Sequence, residues 1–310
     1  MNAQHHPHPP HQRTHVATLM ARPAILPLTE AEVHSVVDAL QGSGGIIEAV
    51  EWLAPNEAVD IFFAVLPMDE ARELLDALLA HVPFDVIVQG AHNRKKKLLI
   101  CDMDSTMIEQ ECLDELAAFA GVKEQVAAIT ARAMNGELDF KAALRERVAM
   151  LAGLAESVLQ ETFDRHITFM PGGKELVGTM RHNGARCVLV SGGFTFFTAR
   201  VARHLGFDMQ EANILEIEDG KLTGKVRAPI LDKAAKVNAL RFHAEELGIA
   251  HRETLAVGDG ANDVPMLREA GLGVAYHAKP NVRAQVGAQI NSCDLRAILY
   301  AQGYKASEIQ

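Results

Sequence analysis

Two aspartates separated by one residue, Asp102 and Asp104, directly follow the short apolar run 98–101. Such a run is typical of a buried strand in a parallel sheet. While the chain stays extended, residues two apart point to the same side, about 7 Å apart at Cα. Two carboxylates placed in this way can take different roles, one as a nucleophile and one as a general acid and base.

Polar residues also follow two later apolar runs, 187–190 and 254–257. Glycines after the first run allow backbone N–H groups to approach an anion closely. The carboxyl ends of parallel strands share one edge of a sheet, so these side chains are expected to meet there. A lysine on a predicted helix between the two runs can add an ammonium group. The residues are Ser191, Gly192, Lys236, Asp259, Asn262 and Asp263.

The elements that must position these groups alternate between apolar strand-like runs and helical patterns, which indicates an α/β fold with a parallel sheet and helices on both faces. A long helical insertion, about 111–168, separates the first two strands and predicts a cap that excludes water from the site. Asp219 and Gly220 predict a hairpin turn at the edge of the α/β unit. A closing helix is expected over 294–300.

The segment before this α/β unit shows the order β-α-β-β-α-β over 15–89. Thr29 and Glu32 form a capping-box pattern at the start of its first helix. The order resembles the ferredoxin-like topology of small regulatory domains of the ACT type. An amino-acid sensor and a purely structural or dimerising appendage both remain open, because fold does not imply function.

Three segments are therefore predicted: a disordered leader over 1–14, an ACT-like or appendage unit over 15–92, and the α/β unit with its cap over 93–310. The leader contains four histidines, but no acidic or cysteine partner accompanies them, so no functional metal site is expected there. The four consecutive basic residues 94–97 predict a solvated linker between the two units.

Composition excludes several classes of function. The 310 residues include 30 Lys and Arg against 40 Asp and Glu, a net charge of −10, which opposes general binding to nucleic acid. The sequence contains no apolar stretch of membrane-spanning length and no secretory signal, so a cytoplasmic protein without a membrane partner is expected. The four cysteines are scattered, which favours free thiols. A homodimer is compatible with the sequence.

The four motifs in this order, D-x-D-S-T at 102–106, S-G-G at 191–193, Lys236 and G-D-G-A-N-D at 258–263, resemble those of the haloacid dehalogenase-like (HAD) phosphohydrolases. The chain is most similar to the phosphoserine phosphatases of that superfamily. The resemblance covers roughly 97–299. It implies a Rossmann-like sheet with a helical cap, and hydrolysis of O-phospho-L-serine to L-serine and phosphate, the last step of serine biosynthesis.

The resemblance also implies roles for the acidic residues. Asp102 would attack phosphorus to form an aspartyl-phosphate, and Asp104 would protonate the leaving oxygen and then activate water. Two carboxylates repel a dianionic phosphate, so a hard cation is required, and Mg²⁺ fits. Its ligands would be the Asp102 and Asp259 carboxylates and the Asp104 backbone carbonyl, with Asp263 as a supporting acid.

The substrate contacts implied by the resemblance fall into two groups. Ser191, Gly192 and Lys236 would bind phosphate oxygens, and Asn262 would help to orient them. In the cap, Glu111 would bind the substrate ammonium, and Arg147 would bind its carboxylate through two parallel hydrogen bonds. Met134 and Phe140 would shield the site from water.

Other functions remain as alternatives. A related HAD phosphatase or phosphotransferase would act on another small phosphomonoester with the same generic phosphate site. A dehalogenase would share the nucleophile but has no use for Asp104 or a Mg²⁺ site. A regulatory protein, with an amino-acid-sensing first unit and an inactive catalytic unit, is opposed by an intact set of site residues. These are Asp102, Asp104, Lys236, Asp259 and Asp263.

Overall fold

The structure is a computed structural model that describes residues 14–134 and 138–310, without the side chains of residues 133 and 134. The predicted leader, apart from Thr14, lies outside the described residues. Among the helices of that described part, none is long and apolar enough to cross a membrane.

The N-terminal unit is a four-stranded antiparallel sheet with two helices. Its strand order, β2-β3-β1-β4, is that of the ferredoxin-like topology predicted from the sequence. Its elements are β1 (His15–Ala21), α1 (Glu30–Gly42), β2 (Ile46–Ala54), β3 (Ala58–Ala64), α2 (Met68–Leu79) and β4 (Phe84–Gly90).

Local signals in the sequence account for these elements. The predicted capping box is present: the Thr29 hydroxyl accepts from the Ala31 N–H, and Glu32 accepts from the Thr29 N–H at 2.9 Å. Apolar side chains from alternate positions of β1 and β3, such as Leu19 and Ile61, pack with both helices. The opposite face of the sheet joins the core of the second unit.

The second unit contains a six-stranded parallel sheet with helices on both faces, as predicted. Its strands are β5 (Leu98–Cys101), β6 (Arg186–Phe194), β7 (Met209–Asn213), β10 (Thr254–Gly258), β11 (Leu272–Tyr276) and β12 (Ala288–Ile290). The helices that follow the cap are α7 (Gly173–His182), α8 (Thr195–Leu205), α9 (Lys233–Leu247), α10 (Val264–Glu269), α11 (Pro280–Arg283) and α12 (Ala297–Ala301).

The strand order of this sheet is β12-β11-β10-β5-β6-β7. The chain moves outward from β5 in one direction through β6 and β7, and in the other through β10, β11 and β12. In open α/β sheets, a reversal of this kind leaves a crevice at the carboxyl ends of the central strands. The candidate site is therefore expected beyond the ends of β5, β6 and β10.

The predicted cap consists of four helices, α3 (Cys112–Phe119), α4 (Lys123–Met134), α5 (Phe140–Ala149) and α6 (Ser157–His166). The two ends of the insertion pair with each other at its base, where the Glu109 N–H donates to the Thr168 carbonyl at 2.9 Å and Met170 donates to Met107 at 3.0 Å. The cap thus begins and ends at one narrow point.

The predicted hairpin turn at Asp219 and Gly220 joins β8 (Leu215–Glu218) and β9 (Lys221–Val226). This hairpin is a two-stranded sheet of its own and lies against the cap. The Gly153 N–H donates to the Leu222 carbonyl at 2.8 Å, and Leu222 donates back to Leu154 at 2.9 Å. Gly224 has φ +80°, and a Cβ there would lie 2.8 Å from the Ala152 Cβ, so a glycine permits the close contact.

The prediction of a solvated linker at 94–97 was wrong for two of its four residues. Arg94 and Lys96 are only 8% and 7% exposed, because each finds partners from distant parts of the chain. The Arg94 guanidinium donates to Asp60 at 2.6 and 2.9 Å, and to the carbonyls of Tyr300 and Ala301. A buried arginine thus joins the first sheet to the C-terminal helix.

Two predicted boundaries also differ from the structure. The strand predicted over 187–190 continues to Phe194 and so includes the S-G-G motif. The closing helix predicted over 294–300 is α12, which begins only at Ala297. The Asp294 side chain accepts from the Arg296 N–H at 2.9 Å, and this local turn takes the place of the first helical turn.

Candidate active site

Three adjacent strands bring the predicted polar residues to one edge of the parallel sheet. Asp102 follows β5, Ser191 lies near the end of β6, and Asp259 follows β10. The Asp102 N–H donates to the Val257 carbonyl at 3.0 Å, which continues the β5–β10 ladder up to the first aspartate. The convergence predicted from the strand ends is therefore present in the structure.

Three carboxylates meet beyond these strands, those of Asp102, Asp259 and Asp263, with one oxygen of each within 4.8 Å of the others. Lys236 from the first turn of α9 enters the same cluster. Its Nζ lies 2.7 Å from Asp102 Oδ1 and 2.5 Å from Asp263 Oδ1. Lys236 is 2% exposed and Asp263 is fully buried, so water contributes little to their solvation.

The cluster carries more negative than positive charge, and the pKa values reflect this. Burial alone would lower the pKa of Lys236, but Asp102 and Asp263 raise it above its usual range, so the ammonium stays charged. Burial, then the neighbouring Asp263, raise the pKa of Asp102 well above its usual value, against the effect of Lys236. Burial, Asp263 and Glu111 raise the pKa of Asp259 to about 6.

These carboxylates fit a divalent metal ion. One ammonium cannot neutralise three carboxylates, and burial, followed by repulsion from Asp263, raises the pKa of Asp259. Carboxylate oxygens are hard donors, which suits an oxygen-binding divalent cation. Asp263 already accepts from Lys236 and, through Oδ2, from the Gly260 N–H at 2.9 Å, whereas Asp259 accepts only from the Thr106 hydroxyl at 3.1 Å among the described residues.

Asp104 lies apart from the acidic cluster, with its carboxylate toward the cap. Its Oδ1 accepts from the Cys112 N–H at 3.3 Å, and a Cβ on Gly193 would lie 2.9 Å from its Oδ2. Burial and the nearby Glu111 raise the pKa of Asp104 to about 7. A carboxyl group with this pKa can carry or release a proton near neutral pH.

The S-G-G motif forms a bulge inside the sheet. The β6–β7 ladder pairs Val190 with Glu211 and resumes only at Phe194 with Asn213, which leaves residues 191–193 outside the ladder. The Ser191 hydroxyl accepts from the Gly193 N–H at 2.9 Å. The backbone therefore turns from the sheet toward the site at this point.

The structure also places the cap residues that were predicted to contact substrate. The Phe140 ring covers the bulge, because a Cβ on Gly192 would lie only 3.2 Å from its Cζ. Glu111 is exposed and accepts from the Ser105 hydroxyl at 2.7 Å. Arg147 is half-buried and donates to the Ala143 carbonyl at 3.3 Å. The Met134 side chain lies outside the described residues.

The remaining predicted residue, Asn262, lies in the loop between β10 and α10. It is half-buried, and its Oδ1 occupies the space that a side chain on Gly260 would need. The Asn262 side chain therefore packs against the Gly260 backbone, where a residue with a Cβ would leave it no room. Asn262 thus lies at the same edge of the sheet as Asp259 and Asp263.

Several residues that connect these parts were not predicted from the sequence. Lys141 of the cap forms an ion pair at 2.9 Å with Asp232, the residue that caps α9. The buried Asn213 side chain contacts both the bulge and the segment before α9. Neither the lysine nor the asparagine belongs to a spaced motif, so the sequence offered no signal that could distinguish them from ordinary polar residues.

Comparison with known proteins agrees with this geometry. Residues 99–268 match the family model described as haloacid dehalogenase-like hydrolase. A phosphoserine phosphatase from Streptomyces coelicolor is 39% identical over 289 residues, which cover 92% of this chain and 70% of the relative.

Two solved structures are also similar. A probable phosphoserine phosphatase from Vibrio cholerae in unliganded form is 32% identical, with a TM-score of 0.76 over 96% of this chain and 88% of that one. A phospho-aspartyl intermediate analogue of phosphoserine phosphatase is 41% identical, with a TM-score of 0.62 over 66% of this chain and 98% of that one. The chain therefore belongs to the haloacid dehalogenase-like hydrolase family and, within it, to the phosphoserine phosphatases.

Proposed function

We propose that this chain is a Mg²⁺-dependent enzyme that hydrolyses O-phospho-L-serine to L-serine and phosphate through an aspartyl-phosphate intermediate. The observation that carries the proposal is the position of Asp102. Its carboxylate lies at the end of the central strand, 2.7 Å from a buried ammonium group and beside two further carboxylates. Few reactions other than phosphoryl transfer need one attacking carboxylate surrounded by groups that bind anions and cations together.

Asp102 is the proposed nucleophile. Its Oδ1 accepts from the Met103 N–H at 2.8 Å and from Lys236, which fixes the plane of the carboxylate. Within the described residues Oδ2 accepts no hydrogen bond, so this oxygen is the one that attacks phosphorus. The bond between phosphorus and the seryl oxygen breaks as the bond to Asp102 forms, and water later releases phosphate from Asp102.

Asp104 is the proposed general acid and base. Its raised pKa of about 7 means that a substantial fraction is protonated at neutral pH. The protonated carboxyl donates to the departing seryl oxygen, and the resulting carboxylate then accepts a proton from the water that attacks the phosphoenzyme. The Cys112 N–H holds the Asp104 side chain on the cap side, where the leaving group must depart.

Mg²⁺ would be held by the carboxylates of Asp102 and Asp259 and by the Asp104 backbone carbonyl. When bound, the ion supplies positive charge that lowers the repulsion between phosphate and these carboxylates. Thr106 orients Asp259 through its hydroxyl, while Asp263 orients Lys236 and the G-D-G loop. Lys236 is thus held by both Asp102 and Asp263, and of these two acids only Asp102 is also assigned to the metal.

Phosphate binding is assigned to groups from two sides of the cluster. Ser191 and the Gly192 N–H approach from the bulge, Lys236 approaches from α9, and Asn262 orients the phosphate from the G-D-G loop. The low exposure of Ser191 and Lys236, both 2%, strengthens their interaction with a dianion because little water competes.

Recognition of the serine part of the substrate is assigned to the cap. Arg147 is half-buried and forms no ion pair with a carboxylate in the described residues, so its guanidinium is available for the substrate carboxylate. Glu111 would bind the substrate ammonium near Ser105. Phe140, with Met134, would separate the phosphate from bulk water, since its ring already covers Gly192.

The proposal is tested by phosphate release from a panel of small phosphomonoesters, with Mg²⁺ and with EDTA. We expect phosphoserine to be the best substrate and EDTA to abolish turnover. Equal or faster turnover of another phosphomonoester would favour a related phosphatase instead. Turnover that survives complete removal of metal would contradict the role given to the acidic cluster.

The assignment of Arg147 has its own test, Arg147→Ala. We expect kcat/KM for phosphoserine to fall about 10²-fold or more, while that for p-nitrophenyl phosphate, which has no carboxylate, changes little. Arg145→Ala on the same helix is the matched control, because Arg145 is exposed. An equal loss on both substrates would remove the basis for assigning Arg147 to the substrate carboxylate.

Three broader predictions accompany this function: a place in serine biosynthesis, a cytoplasmic location and assembly as a homodimer. The first follows from the proposed product, and cell fractionation tests the second. Light scattering on the purified chain measures the third directly.

A further inference from the structure

Asn213 is the last residue of β7 and is 1% exposed, although a primary amide is strongly polar. Both ends of its side chain are used. Nδ2 donates to the Gly192 carbonyl at 2.8 Å and more weakly to the Leu231 carbonyl at 3.4 Å, while Oδ1 accepts from the Leu231 N–H at 2.8 Å. One side chain therefore binds two separate backbone segments.

The first of these segments is the bulge of β6. Three residues, 191–193, stand opposite the single residue Ala212 of β7, so the normal ladder is interrupted there. The Gly192 carbonyl would otherwise lack a partner from β7. The Asn213 amide replaces the missing ladder hydrogen bond and fixes the orientation of the Gly192 peptide.

The second segment leads directly into α9. Leu231 precedes Asp232, whose side chain caps this helix by accepting from the Ala234 N–H at 2.9 Å. Lys236 follows one turn later. The two hydrogen bonds between Asn213 and the Leu231 backbone therefore fix the start of the helix that carries the ammonium.

We propose that Asn213 is a positioning residue that holds the phosphate-binding bulge and the Lys236 helix at a fixed separation. The inference rests on the proposed function, in which Ser191 and Gly192 bind the phosphate from one side and Lys236 binds it from the other. Asn213 touches neither the substrate nor the reacting atoms. It acts by keeping two binding groups preorganised, so that phosphate binding does not have to order them.

A purely structural role makes a different prediction. If Asn213 only satisfied buried backbone groups, its loss would lower the melting temperature but leave phosphate affinity unchanged in the folded protein. A positioning role predicts weaker phosphate binding and slower turnover at temperatures where the variant is still folded. The two effects are separable by measuring binding and stability on the same variants.

The experiment compares the full chain with Asn213→Ala, Asn213→Ser and the control Gln302→Ala. Gln302 is also a buried amide, 1% exposed, but it contacts the Lys96 N–H before β5, at the opposite edge of the sheet. Calorimetric titration with inorganic phosphate in the presence of Mg²⁺ gives the Kd for phosphate. Turnover of p-nitrophenyl phosphate and of phosphoserine gives kcat and KM. Thermal melts give the melting temperature of each variant.

We expect both Asn213 variants to bind phosphate about tenfold or more weakly and to lose about 10²-fold in kcat/KM on both substrates. Gln302→Ala should lose stability with unchanged Kd and kcat. Unchanged phosphate affinity in a folded Asn213 variant would overturn the inference. Failure of both variants to fold would also overturn it, because the side chain would then be needed for folding itself. If the unaltered chain hydrolyses p-nitrophenyl phosphate but not phosphoserine, the proposed substrate is wrong while the Asn213 comparison still decides its own question.

Discussion

The buried ion pair between Arg94 and Asp60 provides a direct test of how the first sheet is joined to the C-terminal helix. Asp60 is 2% exposed, and its carboxylate accepts two hydrogen bonds from Arg94 and one from the Thr18 hydroxyl at 2.7 Å. Arg94→Met keeps the volume of the side chain but removes the charge and every donor. Asp60 would then be a buried charge with a single neutral partner, and the Tyr300 carbonyl would lose the hydrogen bond that it accepts from Arg94.

Removing one partner of a buried ion pair costs about 3–5 kcal/mol, because the other charge stays buried. For 310 residues, the usual entropy of unfolding converts each kcal/mol into about 1.5 °C. Arg94→Met is therefore expected to lower the melting temperature by about 5–8 °C. Thermal melts followed by circular dichroism, with denaturant titration for the free energy, measure both quantities.

Two comparisons make this prediction specific. The double variant Arg94→Met with Asp60→Leu leaves no unpaired charge, so it should recover most of the lost stability. Arg165→Met removes an arginine that forms a solvent-exposed ion pair with Glu161. This substitution should leave the melting temperature unchanged within error. A midpoint for Arg94→Met equal to that of Arg165→Met would refute the reasoning, as would a double variant no more stable than the single one.

The remaining predictions concern the acidic cluster. Asp102→Asn should abolish turnover, because an amide cannot attack phosphorus. The melting temperature should stay the same or rise, because the substitution removes a charge from a buried, repulsive cluster. Phosphoserine hydrolysis at a near-normal rate would exclude Asp102 as the nucleophile. Burial raises the pKa of Asp104 to about 7 and that of Asp259 to about 6. The metal-free chain therefore binds more protons when folded than when unfolded. Its free energy of unfolding should then fall as the pH rises from about 5 to 8. Added Mg²⁺ should therefore raise the melting temperature in EDTA-treated protein more at pH 8 than at pH 5.5, and an equal rise at both values would contradict this account.

The parts of the fold that follow from local signals could be predicted from the sequence. Thr29 and Glu32 marked the start of a helix, Asp219 and Gly220 marked a hairpin, and the apolar runs marked the central strands. The convergence of Asp102 and Asp259 followed from one general property of parallel sheets. In each case the information lay within a few neighbouring residues.

The parts that depend on distant partners could not be predicted. Four basic residues in a row indicate a solvated segment unless an acid from elsewhere is buried beside them, and Asp60 lies 34 positions before Arg94. Asn213 ends an ordinary strand, and its importance arises only where β6 departs from the ladder. Such residues carry no spacing pattern of their own, because their partners are set by the tertiary fold.

The contact between the β8–β9 hairpin and the cap gives the cap a second attachment to the rest of the protein. The cap is attached at its own base, and its residues 153–156 also form backbone hydrogen bonds with residues 220–222 of the hairpin. The chain that leaves the hairpin, 227–232, runs straight to the helix that bears Lys236. The cap and the phosphate-binding lysine are therefore linked along a second route through the chain, one that does not pass through the parallel sheet.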